Sequence, residues 1–339
     1  MNPLLALLST AGLSLFCLAS PLMAEPFRIL VTSKEVPLVP NSVLHLAAQE
    51  GYFERAGVEV ELIAVEQTPM AITALRTGGG EMANVSLETL LGLHAGGDHS
   101  LKAVGSTDKA IPYVIVARKG VTMAHLSEGA RFGVGRPNSL DHTMSLLVLR
   151  DQGVRTEGVS FVPLGQPSVR AAALLHGRVD ASTLSIGIYQ SIPERDDLQI
   201  LVDVPQFYAA APILTKVNAV PASVLKNRPD EVQAVLTALT LAARDFAADP
   251  AAWTEAMAQA RPDVARADLA ALSAIYFGAW TVNGGLQSEE AAYAQTWLYQ
   301  TDRFQGEPVA DLRAWADFTP SDRMLEAIGL SDKGDPVSR

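Results

Sequence analysis

Short apolar segments alternate with helix-like segments along the first two hundred residues, and this alternation limits the possible folds more than any other feature. Nine segments have the length and β-branched content of strands: residues 27–31, 58–64, 82–85, 101–106, 113–117, 131–134, 159–162, 179–184 and 198–202. Apolar spacing predicts helices between them at residues 41–55, 71–76, 139–152 and 168–176. Because alternating strands and helices form sheets covered by helices, the sequence predicts an α/β protein with largely parallel sheets.

The pattern changes after Pro221, where the chain becomes rich in alanine. Alanine, leucine and glutamate favour helices, and their spacing predicts amphipathic helices at residues 230–248, 251–260, 266–280 and 288–299. We expect one face of this helical group to pack on the α/β part.

The start of the chain is typical of a signal peptide. Residues 4–19 are almost continuously apolar, and no Lys, Arg, Asp or Glu precedes Glu25. An apolar segment of about 15 residues is too short to span a bilayer comfortably. We therefore predict that residues 1–24 are a signal peptide cleaved near Ala24, and that the mature protein is periplasmic. The alternative interpretation is a buried N-terminal helix.

Composition excludes several classes of protein. Cys17 is the only cysteine, so a mature chain that starts at Glu25 has no disulfide and no thiolate metal site. A net charge of -11 argues against nucleic-acid binding, which needs a basic surface. The length of the mature chain suggests roughly two domains.

Motifs of enzymes and metal sites are absent from the sequence. It contains no G-x-S-x-G, H-E-x-x-H or Walker A pattern, and Gly133-Val134-Gly135 lacks the third glycine of a dinucleotide-binding motif. His94 and His99 flank Asp98, but Gly96-Gly97-Asp98 is typical of a surface turn. We therefore predict no catalytic residues, no metal and no cofactor.

Residues 44–60 (LHLAAQEGYFERAGVEV) resemble the opening helix, turn and strand of the nitrate/sulfonate/taurine solute-binding proteins. The pyrimidine-precursor binders of thiamine salvage share this pattern. Further segments that are similar to the family follow in order, at residues 126–139, 175–181, 229–250, 315–318 and 324–329. One departure lies in the first half: the family usually has an aspartate after the glycine-containing turn, where this chain has Ala83.

This resemblance implies a type II periplasmic-binding-protein fold, in which two α/β lobes are joined by two crossover strands and followed by C-terminal helices. The implied first lobe comprises residues 25–117 and 205–339, and the second comprises residues 118–204. The crossovers are expected near Arg118 and at residues 206–215. The implied function is that of a monomeric solute-binding component that delivers a small ligand to an ABC permease in the inner membrane.

A faint internal repeat agrees with two lobes. Residues 74–84 and 174–180 each contain a helix end, a glycine and the start of a strand, about a hundred residues apart. Any two β-α-β units would give the same pattern, so the repeat is weak evidence of duplication.

Ligands of open α/β sheets bind beyond the carboxyl ends of strands, where the next helices begin. This rule gives the candidate ligand-binding residues Lys34, Pro37, Gln67, Thr68, Asn84 and Ser86 in the first lobe, and Arg136, Asn138, Ser139, His142, Gly165, Gln166, Ser168 and Ser185 in the second, with Tyr208 near the return crossover. Each also has a plainer role: helix capping for Ser86, Ser139 and Ser168, surface charge for Lys34 and Arg136, a turn for Asn138, packing for His142 and hinge filling for Tyr208.

The two cationic candidates, Lys34 and Arg136, come one from each lobe. They favour an anionic ligand such as a sulfonate, a carboxylate or nitrate, because an arginine can bind such groups with two hydrogen bonds. The alternatives are a heterocycle that resembles a pyrimidine or thiamine precursor, a sensory module for a membrane partner, and an enzyme of related fold.

Overall fold

The computed structural model describes residues 25–108, 112–211, 213–276 and 279–333. The signal peptide predicted at residues 1–24 lies outside the described residues. Within them, no helix is long and apolar enough to cross a membrane.

Ten described strands form two five-stranded sheets. The strands are β1 (Phe27–Val31), β2 (Val60–Ala64), β3 (Met82–Ser86), β4 (Leu101–Gly105), β5 (Tyr113–Arg118), β6 (Arg131–Val134), β7 (Ser160–Pro163), β8 (Ala181–Ser185), β9 (Leu198–Val202) and β10 (Lys216–Pro221). The first sheet has the order β2-β1-β3-β10-β4, and we call it, with its helices, the first lobe. The second sheet has the order β7-β6-β8-β5-β9 and forms the second lobe.

Helices cover both sheets and continue after them. They are α1 (Val43–Gln49), α2 (Tyr52–Arg55), α3 (Thr68–Arg76), α4 (Leu87–Ala95), α5 (Met123–Leu126), α6 (Leu140–Asp151), α7 (Pro167–Leu175), α8 (Ile186–Gln190), α9 (Val204–Ala210), α10 (Ala222–Asn227), α11 (Pro229–Ala248), α12 (Pro250–Ala260), α13 (Arg266–Ile275), α14 (Ser288–Leu298), α15 (Leu312–Trp315) and α16 (Thr319–Ile328). The α/β fold predicted from the alternation is confirmed.

The two sheets have the same topology. In the first, β1 pairs in parallel with β2 and β3, and β10 is antiparallel to β3 and β4. In the second, β6 pairs in parallel with β7 and β8, and β5 is antiparallel to β8 and β9. Each sheet therefore contains one antiparallel strand, and it is the strand that enters from the other lobe.

The chain changes sheets at different places from those predicted. Strand β5 hydrogen-bonds to β8 and β9, so it belongs to the second sheet, and the first change lies at residues 106–112 rather than near Arg118. The second change occupies residues 203–215 and contains helix α9 instead of a strand. This helix forms because Asp203 and Gln206 make a reciprocal capping box and Pro205 lies in its first turn.

The internal repeat has a structural counterpart in two arginine clamps. Arg28 of β1 donates through Nε and Nη2 to Glu81, at 3.1 and 2.7 Å, and through Nη2 to the carbonyl of Gly78 at 2.9 Å. Arg131 of β6 makes the same set of bonds to Asp180 and to the carbonyl of Gly177.

Both clamps tie an inner strand of a sheet (β1 or β6) to the turn before the next inner strand (β3 or β8). Glu81 supplies the acidic group of this turn in the first lobe, and Asp180 supplies it in the second. Ala83 is fully buried in β3.

The two turns of the family-like segment are glycine turns. Gly51 and Gly57 have φ of 71° and 80°, a backbone region that glycine adopts without strain. Gly51 ends α1 and divides the helix predicted at residues 41–55 into α1 and α2. Phe53 is buried, and the Tyr52 hydroxyl donates to Asp245 of α11 at 2.6 Å, which holds this segment on the long C-terminal helix.

The C-terminal helices pack mainly on the first lobe. Helix α11 contacts α1, α2 and α16, while α15 and α16 contact β4. Trp253, Tyr276 and Trp280 form an aromatic cluster beneath α1, with ring centroids 5.4 to 6.5 Å apart. The Trp253 indole donates to Ser42 Oγ at 2.9 Å, so every polar atom that this large side chain buries is satisfied.

Candidate ligand-binding site

A cavity of about 310 Å³ lies between the two lobes at the carboxyl ends of their strands. Its lining includes the following residues predicted from the strand-end rule: Pro37, Gln67, Thr68, Asn84, Ser86, Arg136, Ser139, Gly165, Gln166, Ser168 and Ser185. The structure therefore brings loops from both lobes to one site, as the topology requires.

Four predicted residues do not line this cavity. Lys34 is exposed, and Tyr208 is 45% exposed on α9. Asn138 has φ of 56° and serves the turn before α6. His142 accepts a hydrogen bond from the Asn138 N–H at 3.1 Å and packs edge-on against Phe161, so it stabilises the same turn.

Equivalent loops of the two lobes face each other across the cavity. Gln67 precedes α3 in the first lobe, and Gln166 precedes α7 in the second, each followed by a proline in the first turn. Ser86 caps α4 and Ser185 caps α8, with each hydroxyl accepting from the N–H three residues later. Helices α3, α4 and α7 thus begin at the cavity, and their first N–H groups favour negative charge there.

Among the described residues, four cationic side chains line the cavity, and they differ in how they are compensated. Arg261 pairs with Asp263 at 2.6 Å. Arg170 is 4% exposed and is held by Asp141 at 3.7 Å and by the carbonyl of Gly165 at 2.7 Å. Lys216 of β10 donates to Thr32 Oγ1 at 3.3 Å. Within the described part of the chain, Arg136 has no carboxylate within 4.0 Å, although it lies close enough to Glu88 to lower the pKa of that carboxyl.

Asp141 braces the loop that carries Arg136. Its carboxylate accepts from the N–H of Gly135 and from the hydroxyl of Ser139, both at 2.7 Å. Ser139 Oγ also lies 2.8 Å from the carbonyl of Arg136, so its single proton is shared between these two acceptors, and it accepts from the Arg136 N–H at 3.3 Å. This network fixes the backbone from Gly135 to Ser139, so Arg136 projects from a rigid loop.

A buried carboxylate lies behind the first-lobe wall of the cavity, in the first connection between the lobes. Asp108 is 1% exposed, and burial raises its pKa to about 6, although Lys216 and Asn41 lower it. Neither of its carboxyl oxygens has a hydrogen-bond partner within 3.5 Å among the described atoms. Lys216 is thus shared between the cavity and Asp108.

The lobes touch each other around the cavity. The side-chain amide of Gln166 donates to the carbonyl of Glu66 at 2.6 Å, which joins the α7 loop to the α3 loop. On another side Gly187 of α8 packs against Leu38, so closely that an added Cβ would lie 2.2 Å from the Leu38 carbonyl oxygen.

A third contact between the lobes is ionic. Glu88 of α4 is 1% exposed and accepts from Thr143 of α6 at 3.0 Å and from Arg303 at 2.9 Å. Arg303 also donates to the carbonyl of Asn138 at 3.2 Å and lies flat on Gly92, where an added Cβ would be 2.5 Å from Nη2. Burial raises the pKa of Glu88, against the lowering effect of Arg303.

His94 and His99 lie on the outer part of the first lobe, away from the cavity. Their Nδ1 atoms are 2.9 Å apart, and His94 Nε2 is 3.0 Å from the carbonyl of Leu101. Among the described residues, no group of three or more potential metal ligands assembles.

Sequence reasoning missed several residues that shape the site, chiefly Asn41, His45, Asp108, Tyr113, Asp141, Arg170 and Lys216. A signal existed for one of them: Arg170 stands on the otherwise apolar face of α7, where only a paired charge is tolerated. Lys216 gave no such signal, because its strand reaches the first sheet only through pairing with β3 and β4.

Comparison with known proteins gives one family and a group of solved structures. A family model described as NMT1/THI5 like matches residues 41–253. This range includes cavity loops of both lobes and ends in α12, but it leaves out the lining residues among 31–39 and Arg261. No curated protein sequence matches the chain at a significant level.

Three solved structures illustrate the likeness of fold. The ligand-binding component of an ABC-type import system from Staphylococcus aureus has a TM-score of 0.71 at 16% identity, covering 88% of this chain and 98% of its own. The alkanesulfonate-binding protein SsuA from Xanthomonas axonopodis pv. citri, bound to MOPS, has a TM-score of 0.69 at 20% identity, covering 86% and 98%. The periplasmic aliphatic sulphonate binding protein SsuA from Escherichia coli has a TM-score of 0.65 at 17% identity, covering 93% and 94%.

Proposed function

Because this chain belongs to the NMT1/THI5-like family, we propose that it is the solute-binding component of an ABC importer. The observation that carries the proposal is the cavity between the lobes, which receives equivalent loops from both sheets. A ligand that contacts both lobes binds their closed arrangement better than an open one, and so drives closure. The hinges are the two connections, residues 106–112 and 203–215.

The ligand of this importer is a small anion, such as a sulfonate, a carboxylate or nitrate. Arg136 offers a guanidinium with no carboxylate within 4.0 Å among the described residues, and the helices α3 and α7 begin at the cavity, where a helix start favours an anion. In the first lobe a cation that lines the cavity is Lys216 rather than Lys34. The similar structures from Xanthomonas axonopodis and Escherichia coli carry sulfonate-binding names, which supports this class of ligand.

The cell compartment follows from the proposed role. An importer's binding protein works outside the inner membrane, where it meets the solute and docks on its permease. We therefore expect the protein isolated from cells to begin at Glu25. Sequencing of its N-terminus tests this, and a periplasmic protein that still begins at Met1 contradicts the cleavage.

The ligand class is tested by a thermal-shift screen of sulfonates, carboxylates, nitrate and neutral pyrimidines, followed by calorimetry on the compounds that stabilise the protein. We expect anions to raise the melting temperature, since a ligand that binds only the folded state stabilises it. Stabilisation by neutral heterocycles and by no anion would exclude the anion and favour a heterocycle binder.

Arg136→Gln tests the placement of the anion. Loss of a charged two-bond contact is expected to weaken binding about tenfold to a hundredfold. The matched control is Arg178→Gln, at an exposed arginine of the same lobe that does not line the cavity. Equal affinities of the two variants would remove Arg136 from the site.

A further inference from the structure

The first-lobe wall of the cavity presents hydrogen-bond acceptors that no described atom satisfies. Asn84 of β3 is 1% exposed, and its side-chain amide donates to Asn218 Oδ1 at 3.0 Å and to Thr107 Oγ1 at 3.3 Å. Its Oδ1 is buried and has no partner. With Asn218 oriented so that its Oδ1 accepts, the reversed Asn84 amide would place two acceptor oxygens together.

Asn41 repeats this arrangement beside the cavity. It is 8% exposed, its amide lies near the Asp108 carboxylate, and its Oδ1 is buried without a partner. His45, on the same side of the cavity, has a buried Nδ1 without a partner. Asn41 and Asn84 lie on different elements of the first lobe. Two separate side chains that line the cavity therefore each have an acceptor oxygen without a partner.

The cavity therefore offers acceptors as well as donors. Arg136 and the start of α7 supply donors from the second lobe, whereas Asn41 and Asn84 supply acceptors from the first lobe, which also carries Lys216. Buried polar groups in proteins almost always have partners, and leaving one unpaired costs free energy. Sulfonate, carboxylate and nitrate oxygens are acceptors themselves and satisfy none of these groups, whereas an N–H does.

We propose that Asn41 and Asn84 form an acceptor subsite for the N–H-bearing head of a ligand whose acidic group faces Arg136. The ligand is then an acid that also carries an amine, an amide or a ring amino group. This inference rests on the proposed function, because it takes the cavity as the solute site. It excludes simple alkyl acids and nitrate as the preferred solutes.

Pairs of probes that differ only in the donor test the subsite. Homotaurine and butanesulfonate form a sulfonate pair, β-alanine and butyrate form a carboxylate pair, and aminopyrimidine and methylpyrimidine form an uncharged pair. Affinities of the full mature protein are measured by calorimetry. We expect the amino member of an acid pair to bind about tenfold tighter or better, since a site built to accept a hydrogen bond rejects the analogue without the donor.

Asn41→Leu and Asn84→Leu remove the free acceptors while nearly conserving side-chain volume. We expect each variant to lower the ratio of amino to alkyl affinity about tenfold, mainly through weaker binding of the amino member. The control is Asn227→Leu, at an exposed residue that ends α10. A variant that merely loosens the fold lowers both affinities together and leaves the ratio unchanged.

The outcomes separate this inference from the proposed function. If alkyl acids bind as well as their amino partners, the acceptor subsite is wrong and the anion receptor stands. A second outcome is that aminopyrimidine binds while methylpyrimidine and all of the acids fail to bind. In that case the acceptor subsite stands and the proposed anion is wrong. An unchanged ratio in both leucine variants also overturns the subsite.

Discussion

The two lobes use the same helix start to reach each other, but with opposite chemistry. In each lobe a serine ends a strand (β3 or β8) and caps the next helix (α4 or α8), and the second residue of that helix contacts the other lobe. In the first lobe this residue is Glu88, which binds Thr143 and Arg303. In the second lobe it is Gly187, which packs on Leu38 with no space for a Cβ.

This difference indicates which properties hold each side of the cleft together. The Glu88 side depends on charge, because a buried carboxylate needs its arginine. The Gly187 side depends on shape, because only a glycine lets the backbones approach. The two lobes share one topology but make different contacts. The Glu88 contact should depend on pH and on charged substitutions, whereas the Gly187 contact should depend on the volume of the side chain.

The largest effect is expected from Arg303→Gln. It leaves the buried Glu88 carboxylate without its hydrogen-bonded cation and with only the more distant Arg136, and we expect a loss of about 3 kcal/mol in the free energy of unfolding. The pKa of Glu88, already raised by burial, rises further, so the ionised group disfavours the folded state. The loss should therefore be greater at about pH 8 than at about pH 5, as measured by urea unfolding.

The double variant Arg303→Gln with Glu88→Gln is the control for this contact. It removes both charges together and should recover much of the stability that the single variant loses. If Arg303→Gln alone is as stable as the wild type, the charge of Arg303 does not contribute to stability through Glu88.

The second largest effect is expected at Asp108, which lies in the first of the two connections between the lobes. The pKa of Asp108 is raised from 3.8 to about 6, so its ionised form disfavours folding, and stability falls as pH rises through this range. Asp108→Asn should therefore stabilise the protein by up to about 3 kcal/mol at about pH 8 and by little at about pH 4. The gain is reduced because Lys216 loses its counter-charge.

Asp203→Asn in the second connection is the matched substitution. Asp203 is exposed and caps α9, and asparagine caps helices about as well as aspartate. Unfolding in urea at both pH values should show little difference from the wild type. A similar pH response in the two variants would contradict the buried role of Asp108.

A third effect concerns the shape-dependent side of the cleft. In Gly187→Ala the new Cβ would lie 2.2 Å from the Leu38 carbonyl and 2.5 Å from its Cβ, so the lobes must separate. Overpacking of this kind costs about 1 to 3 kcal/mol, and the closed arrangement bears that cost. We expect affinity for the tightest anion of the screen to fall about tenfold or more.

Gly96→Ala is the control for a general glycine effect. Its φ is -77°, and an added Cβ would meet only two carbonyl oxygens at 3.4 Å within α4. Calorimetry on this variant should give an affinity close to that of the wild type. If Gly187→Ala behaves in the same way, the close contact with Leu38 does not control closure.

Local sequence predicted nine of the ten described strands and the helices α1, α2, α3, α6 and α7, because their apolar periodicity reflects burial within the same segment. It missed the helices α4, α5 and α8. It missed β10, since this strand exists only through antiparallel pairing with β3 and β4, more than a hundred residues earlier in the chain. It also placed β5 in the wrong sheet, because a strand's sequence does not name its partners. Helix α9 had a readable signal in the Asp203 and Gln206 capping box.

The residues of the site likewise fall into those that local sequence predicted and those that it missed. The strand-end rule located the cavity loops because topology alone fixes where those ends meet. It could not find Lys216, Asp108 or Arg303, since each reaches its place from a return strand, a connection or the C-terminal segment. Long-range packing decides these positions, and no local pattern encodes it.

The smallest effect comes from the two arginine clamps, which are the most alike features of the lobes. Glu81 is the more enclosed acid, with its side chain 10% exposed, and it also meets Arg228 at 3.5 Å. Asp180 is 21% exposed and pairs with an Arg131 side chain that is 44% exposed. Solvent screens the second clamp more, so the same hydrogen bonds should stabilise it less.

We therefore expect Glu81→Gln to cost about 1 to 2 kcal/mol and Asp180→Asn less than about 1 kcal/mol in the free energy of unfolding. For both acids the pKa is lowered by the arginine, against the opposing effect of burial, so the stability each contributes is present at neutral pH and lost on acidification. Urea unfolding at about pH 7 and about pH 3 measures this, and the difference between each variant and the wild type should shrink at the lower pH. A larger cost for Asp180→Asn than for Glu81→Gln would show that the backbone of the second lobe, rather than solvent exposure, sets the strength of a clamp.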